Sequence, residues 1–374
     1  MREQWCVECG VGAGAKLVPV EEAVGLVLAH DITEIVPGKK KGPAFRKGHV
    51  VRPQDVEHLA RLGKRQLYVL TIGPGQMHED DAAYMLADAI AGPGVATTGA
   101  PREGKIEFVA AHDGLVVVDV DRLVAFNMLP EVMCATIHTN TPVRKGQKLG
   151  GVRAIPLLPT RSAVEQAAEL AAQEGGLIRV EAYRAMRAAI VVTGNEVASG
   201  LIEDRFTPII ERKLAGVGAE VVARSIVPDD PAAVAAAIRR GMAAGAGLVV
   251  VTAGMSVDPD DCSRAGIVGA GATEVFYGAP VLPGAMSLVG YIPQEEGEVV
   301  VLGVPACALY YQATALDLIL PRVAAGQRIT RAEIAQLAHG GFCRQCAGGC
   351  RYPDCSFGKA SGQSALRAPA SVDA

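Results

Sequence analysis

The stretch AAIVVTGNEVASGLIEDRFTP, residues 188–208, and its counterpart LVVVTAGMSVDPDD, residues 248–261, decide the fold class. Each opens with a short apolar run that does not alternate with polar residues, the pattern of a strand buried on both faces. Each run then breaks into a loop of Gly, Asn, Ser and Asp. Between them, Thr207-Pro208 caps and opens a helix through Leu214, Glu220–Val227 makes a second strand, and Asp230-Pro231 starts the Ala-rich helix PAAVAAAIRRGMAAG. Strands are also expected at Thr273–Tyr277 and Val299–Val304, with a closing helix over Ala308–Leu320 stopped by Pro321. This strand–helix alternation predicts a three-layer α/β/α domain with a mainly parallel sheet over residues 188–326.

Upstream, residues 16–187 read as a β-rich α+β region. Helices are expected after Pro53 up to Gly63, over 79–92 and over 163–173, with a Pro-led helical start near residue 19. Residues 106–157 read as strands and turns, IEFVAAHDGLVVVDVD among them. Two segments flank these parts: residues 1–15 carry a C-x-x-C, and residues 327–374 form a Cys-rich tail. Lys and Arg number 36 against 40 Asp and Glu, a net charge of −4, which argues against nucleic-acid binding by bulk charge. With 4% aromatic residues, a base-stacking surface is not expected either. The polar start MREQWCVECG and the lack of a long apolar run point to a soluble, cytoplasmic protein with no membrane segment. In that compartment clustered thiols are metal ligands before they are disulfides.

Ligands of an open parallel sheet bind outside the carboxyl ends of its strands. The first loop there, Thr193-Gly194-Asn195-Glu196 running on to Gly200 and Asp204, combines close backbone approach with a helix start that favours an anion. Glu196 and Asp204 would repel that anion unless a hard cation such as Mg²⁺ bridges them. The second loop supplies hydroxyls from Thr252 and Ser256, backbone at Ala253 and Gly254, and the carboxylates Asp258, Asp260 and Asp261. Asp and Gly also favour turns for purely local reasons, so each loop taken alone reads first as a solvated turn, and only the two together, both ending strands of one sheet, weigh equally as a site.

The pieces VVTGNEVASGLIEDRFTPIIERKLAGVGAEV, IVPDDPAAVAAAI, LVVVTAGMSVDPDD, LPGAM and GVPA, in that order, resemble the molybdopterin-binding domain shared by molybdopterin molybdenumtransferases and molybdopterin adenylyltransferases. VEEAVGLVLAHDI and FRKGHVVRPQDVEHLARLGKRQLYVL resemble, more loosely, the N-terminal region of the molybdenumtransferases. The resemblance implies that these loops bind a pterin phosphate and its adenylate, with acidic residues holding Mg²⁺ and receiving molybdate. It places Glu196 and Asp261 in the metal-assisted step. It adds Pro283, Gly284 and Pro305 to Thr193, Gly194, Gly200, Asp204, Thr252, Ala253, Gly254, Ser256 and Asp258 as cofactor-binding positions. The chain departs from the family at Arg205, where an Asn is usual, and at Gly303-Val304-Pro305-Ala306-Cys307-Ala308, where G-L-P-G-N-P is usual. It also lacks the D-G-Y-A motif and the β-rich C-terminal domain. The expected function is therefore molybdopterin binding in molybdenum cofactor biosynthesis, with molybdate insertion into adenylylated molybdopterin as its enzymatic form. The alternative is a non-catalytic cofactor carrier or sensor with a metal-binding tail, and a competence-damage-type nucleotide hydrolase ranks third. A molybdoenzyme or biosynthetic partner and a homodimer are compatible with any of these. The ligand is expected to be held by backbone, carboxylates and cations, not by stacking.

Cys343, Cys346, Cys350 and Cys355 make C-x2-C-x3-C-x4-C, a set that suits tetrahedral Zn²⁺ or an Fe–S cluster. The short, Gly-rich segment leans toward the cluster. Cys6 and Cys9 could add two ligands or form a redox pair. Cys262 and Cys307 read as small buried hydrophobes, and His30, His58 and His339 lack partners at ligand spacing.

Overall fold

The structure, a computed structural model, describes residues 16–36, 40–102, 104–255 and 262–359. Cys6, Cys9, Ser256, Asp258, Asp260 and Asp261 lie outside the described residues. The described residues form two compact units, one holding residues between 16 and 111 with 118–137 and 146–179, the other holding 112–117, 138–145 and residues between 180 and 359.

The second unit is built on a six-stranded sheet. Its strands are β1 (Arg187–Thr193), β2 (Glu220–Val227), β3 (Leu248–Thr252), β4 (Glu274–Tyr277), β5 (Leu288–Pro293) and β6 (Glu298–Val304), in the order β2-β1-β3-β6-β5-β4. β2, β1, β3 and β6 run parallel, whereas β5 pairs antiparallel with β6 and β4 antiparallel with β5. The sheet is thus mixed. β5, between the expected strands at 273–277 and 299–304, was not expected from the sequence; its apolar run is short and interrupted by Gly290.

Alternate residues of each strand face opposite helical layers. Ile190, Val192, Leu248, Val250 and Leu302 pack with Ile210 and Leu214 of α1 (Phe206–Gly216). Ala189, Val191, Val249, Val251 and Val301 pack with Val234 and Ile238 of α2 (Pro231–Ala243) and Ile267 of α3 (Ser263–Gly269). Burying each Val, Ile or Leu contributes ~1.5–3 kcal/mol, and burial on both faces is why these strands read as unbroken apolar runs.

α4 (Ala315–Ala324) and α5 (Arg331–Gln336) complete the first layer. α4 departs from the expectation at both ends. Its start is set by Thr314 in a capping box with Asp317, and residues 306–309 form a separate 3-10 turn. Pro321 does not stop it. Proline lacks the N–H that would bond the carbonyl of Asp317 four residues back, and the Tyr352 hydroxyl donates to that carbonyl instead at 2.8 Å. The Cys-rich tail therefore belongs to the second unit, with Phe357 buried and Cys343, Tyr352 and Cys355 packed on its core.

In the first unit, Lys16–Pro19, Gln66–Leu70 and Val27–Leu28 form one small antiparallel sheet. Val95–Thr97, Lys105–Ala110, Lys148–Ala154 and Val132–Thr136 form a four-stranded one. The expected helices appear as Asp55–Arg61, Glu79–Ile90 and Arg161–Ala172. Near residue 19 there is only a 3-10 turn, Val20–Glu22. DRLVAFN, read as part of a β-rich stretch, is helical within Val120–Asn127 because Asp119 caps it by accepting from the Arg122 N–H at 2.9 Å. No described helix is long and apolar enough to cross a membrane.

Candidate functional site

The chain passes from β1 to β2 on one side and then crosses to β3 on the other, so the carboxyl ends of β1 and β3 border a topological switch point. Thr193 and Thr252 end these strands, with Val192 opposite Thr252 in the ladder. Thr193 Oγ1 donates to the Thr252 carbonyl at 3.1 Å and lies 3.2 Å from Ser263 Oγ. Ser263 Oγ donates to the Ala253 carbonyl at 2.9 Å. Ser263, fully buried in the first turn of α3, is a functional candidate that the sequence reading missed; its one signal was its place at the helix start after the second loop.

Ala253 and Gly254 both have positive φ, +64° and +56°. This turns the chain sharply away from β3 and brings Gly254 against the hydroxyl pair. A Cβ at Gly254 would stand 2.6 Å from Ser263 Oγ and 3.1 Å from Thr193 Oγ1. Thr252 Oγ1 is buried and has no hydrogen-bond partner among the described residues, an arrangement that costs free energy unless a further group, ligand or water completes it.

The first loop is held differently. Asn195 and Asp229 clasp each other, each side chain accepting from the other's backbone N–H at 3.0 and 3.1 Å. Asp229, at the end of β2, was not among the expected site residues. This clasp fixes Gly194 (φ +146°) and the single helical turn Asn195–Ala198, which carries Glu196 with an exposed side chain. Gly200 follows with φ +76° and open space around it. Asp204 accepts from the backbone N–H groups of Phe206 and Thr207 at 2.8 and 3.0 Å. It thus caps α1, the part expected of Thr207.

Pro283, Gly284 and Pro305 share a pocket of about 340 Å³. Gly284 lies so close to α4 that a Cβ would stand 2.6 Å from the Ala315 N and Cβ atoms. Thr252 lies opposite Val304, and the Ala253 N–H bonds the Val304 carbonyl at 3.1 Å, which joins this pocket's edge to the β3 loop. Burial pushes the Cys307 thiol up from its ordinary value. The other wall of the pocket comes from the tail and includes Phe342, Cys343 and Gln345.

Of the four clustered thiols, Cys346 and Cys350 are exposed, while Cys343 and Cys355 are partly covered. Among the described residues no three His, Cys, Asp or Glu side chains converge as a metal site. The tail in this conformation does not fit a preformed four-thiolate centre. Of the acidic residues expected to hold Mg²⁺, the described ones are Glu196, exposed, and Asp204, engaged as a cap.

Residues 189–325 match the family described as "Probable molybdopterin binding domain", and residues 17–71 match a "Domain of unknown function (DUF8806)". A CinA-like protein of Mycobacterium sp. (strain MCS) is 39% identical over 79 residues, 21% of this chain and 19% of that protein. The chain thus spans about a fifth of the length of that relative. The molybdopterin molybdenumtransferase of Synechococcus elongatus is 23% identical over 330 residues, 85% of this chain and 77% of that one. Among solved structures, the tungsten cofactor synthesizing protein MoaB from Pyrococcus furiosus is 23% identical, covering 38% of this chain and 94% of that one, with a TM-score of 0.31. Through residues 189–325 the chain carries a domain of the molybdopterin-binding family of molybdenum cofactor biosynthesis, within a longer sequence that resembles a molybdopterin molybdenumtransferase.

Proposed function

We propose that this chain binds a molybdopterin-type pterin phosphate at the carboxyl ends of β1 and β3 and acts in molybdenum cofactor biosynthesis. One observation carries the reading: the left-handed Ala253-Gly254 turn sets the bare backbone of Gly254 beside the Thr193–Ser263 hydroxyl pair, next to a Thr252 hydroxyl that has no partner among the described residues. Such a turn suits an anion held by backbone N–H groups and the Thr252 hydroxyl, while Thr193 and Ser263 hold the turn through their bonds to the Thr252 and Ala253 carbonyls. Gly194 and Gly200 leave the first loop open on the same edge, and Ser256, Asp258 and Asp261 follow in the second loop.

In its enzymatic form the function is insertion of molybdate into adenylylated molybdopterin with release of AMP. Mg²⁺ would supply neutralisation of phosphate and molybdate charge, with Glu196 and Asp261 as its holders. Thr252 would orient the phosphate, Thr193 and Ser263 would hold the turn that carries it, and the Asn195–Asp229 clasp would keep the first loop in place. Binding without turnover is the second reading. It is favoured by the commitment of Asp204 to capping α1 and by the loss of the second Gly and the Asn from the Pro305 loop.

The test is to incubate the full chain with adenylylated molybdopterin, molybdate and Mg²⁺ and to measure AMP. AMP release that disappears in Asp261→Asn supports the enzyme. Retention of the pterin without AMP supports the carrier, and absence of both refutes pterin binding.

A further inference from the structure

We infer that the tail segment Gly341–Gln345 completes the ligand pocket of the molybdopterin-type domain, with Phe342 and Tyr311 as the aromatic faces for a planar fused heterocycle. The inference rests on the pterin-binding reading above and adds a ring subsite built partly from residues outside 189–325.

The segment is fixed by its backbone. The Leu282 N–H donates to the Gly341 carbonyl at 2.7 Å, and the Cys343 N–H donates to the Leu282 carbonyl at 2.8 Å. These bonds make a one-residue parallel bridge between Leu282 and Phe342. Gly341 allows the approach: a Cβ there would stand 2.3 Å from the Pro280 carbonyl oxygen and 2.5 Å from that of Leu337. Farther along, the Tyr352 bond to Asp317 and the buried Phe357 hold the segment to the core.

On this rigid mount the Phe342 side chain is left 69% exposed, at the wall of the 340 Å³ pocket, with Tyr311 also lining it. Core packing does not explain an apolar ring held in the open. A pocket of that size falls within the range of small-molecule sites, and aromatic faces there stack any flat π-system.

The chemistry of the lining divides the ligand. Among the described residues no Asp, Glu, Lys or Arg lines this pocket, so this lining suits the uncharged ring end. The Gly254–Ser263 crevice, joined to it through the Ala253–Val304 bond, takes the phosphate end. Pro283 and Pro305 add flat apolar walls, and the side chain of Gln345 offers an amide to the ring's polar edge.

The experiment uses the full chain and three probes: pterin, AMP, and ribose 5-phosphate, which has no aromatic ring. Affinities are measured for wild type, Phe342→Ala and Phe342→Trp, with thermal unfolding as a check that each variant is folded. Phe342→Ala should weaken a ring-bearing probe about tenfold, within the range for loss of one stacked ring, and leave ribose 5-phosphate unchanged. Phe342→Trp should keep the affinity, and its indole emission should be quenched by the ring-bearing probe. If wild type binds pterin and Phe342→Ala binds it equally well, the inference fails while the pterin reading stands. If only AMP binds and shows the tenfold loss, the ring subsite stands and the pterin reading fails. If only ribose 5-phosphate binds, or nothing does, both fall. Unchanged affinity with a smaller hydrodynamic size in Phe342→Ala would assign the ring to a contact between copies and overturn the inference.

Discussion

Removing the Tyr352 hydroxyl tests how the tail is attached to the domain. In α4 the Asp317 carbonyl faces Pro321, which has no N–H, and Tyr352 supplies the missing donor at 2.8 Å. Tyr352→Phe keeps the ring and leaves that carbonyl without its donor, a change worth ~1–3 kcal/mol for a buried group. Pro321→Ala restores an N–H at the position where the helix would use it. In that background Tyr352→Phe should cost ~1 kcal/mol less, because the carbonyl keeps a partner. Burial, with Asp317 nearby, pushes the phenol well above its ordinary range, so it remains a neutral donor in the folded state. Its folded pKa is raised, so its contribution is fully present below the unfolded tyrosine value of ~10 and declines only as pH rises beyond it. The measurement is urea denaturation of the four proteins of this cycle at neutral pH, with amide exchange over residues 341–357 as the local readout. An equal cost of Tyr352→Phe in both backgrounds would refute the compensation argument.

Two other outcomes follow from single side chains. Asp204→Ala should cost ~1 kcal/mol by uncapping α1, whereas Asp204→Asn should retain most of that stability; if Asn also abolishes ligand binding, the charge of Asp204 serves the site as well as the cap. In the first unit, burial raises the Glu79 carboxyl above its ordinary value, with Arg153 at 3.6 Å only partly offsetting it. Ionisation therefore works against folding: the contribution is present below the ordinary carboxylate range and lost as pH rises through the raised value. Glu79→Gln should then lose stability relative to wild type as pH falls toward 4 and gain as it rises, read by denaturant titration from about pH 4 to 8. A flat difference would show that Arg153 cancels the burial.

The sequence by itself determined the layered α/β unit, because burial on both faces of a strand and helix capping leave local, periodic marks. AAIVVT and LVVVT carry the mark of interior strands in their unbroken apolar runs, and Asp230-Pro231 carries that of a helix start. It also indicated the loops at Gly194 and Gly254, where residue type restricts backbone conformation. Tertiary structure alone decided what meets across the chain. Thr193 meets Ser263 70 residues later, and Phe342 reaches a pocket lined by Pro283 and Pro305. Tyr352 completes a helix that a proline was expected to end. A hydroxyl or a phenyl ring has the same signature in sequence whether it is solvated, packed or aimed at a ligand, since its partner is set by sheet order and not by spacing. For the same reason four closely spaced cysteines did not imply a formed metal centre. Backbone bonds to Leu282 hold the first of them beside the pocket, and the next two remain on the surface.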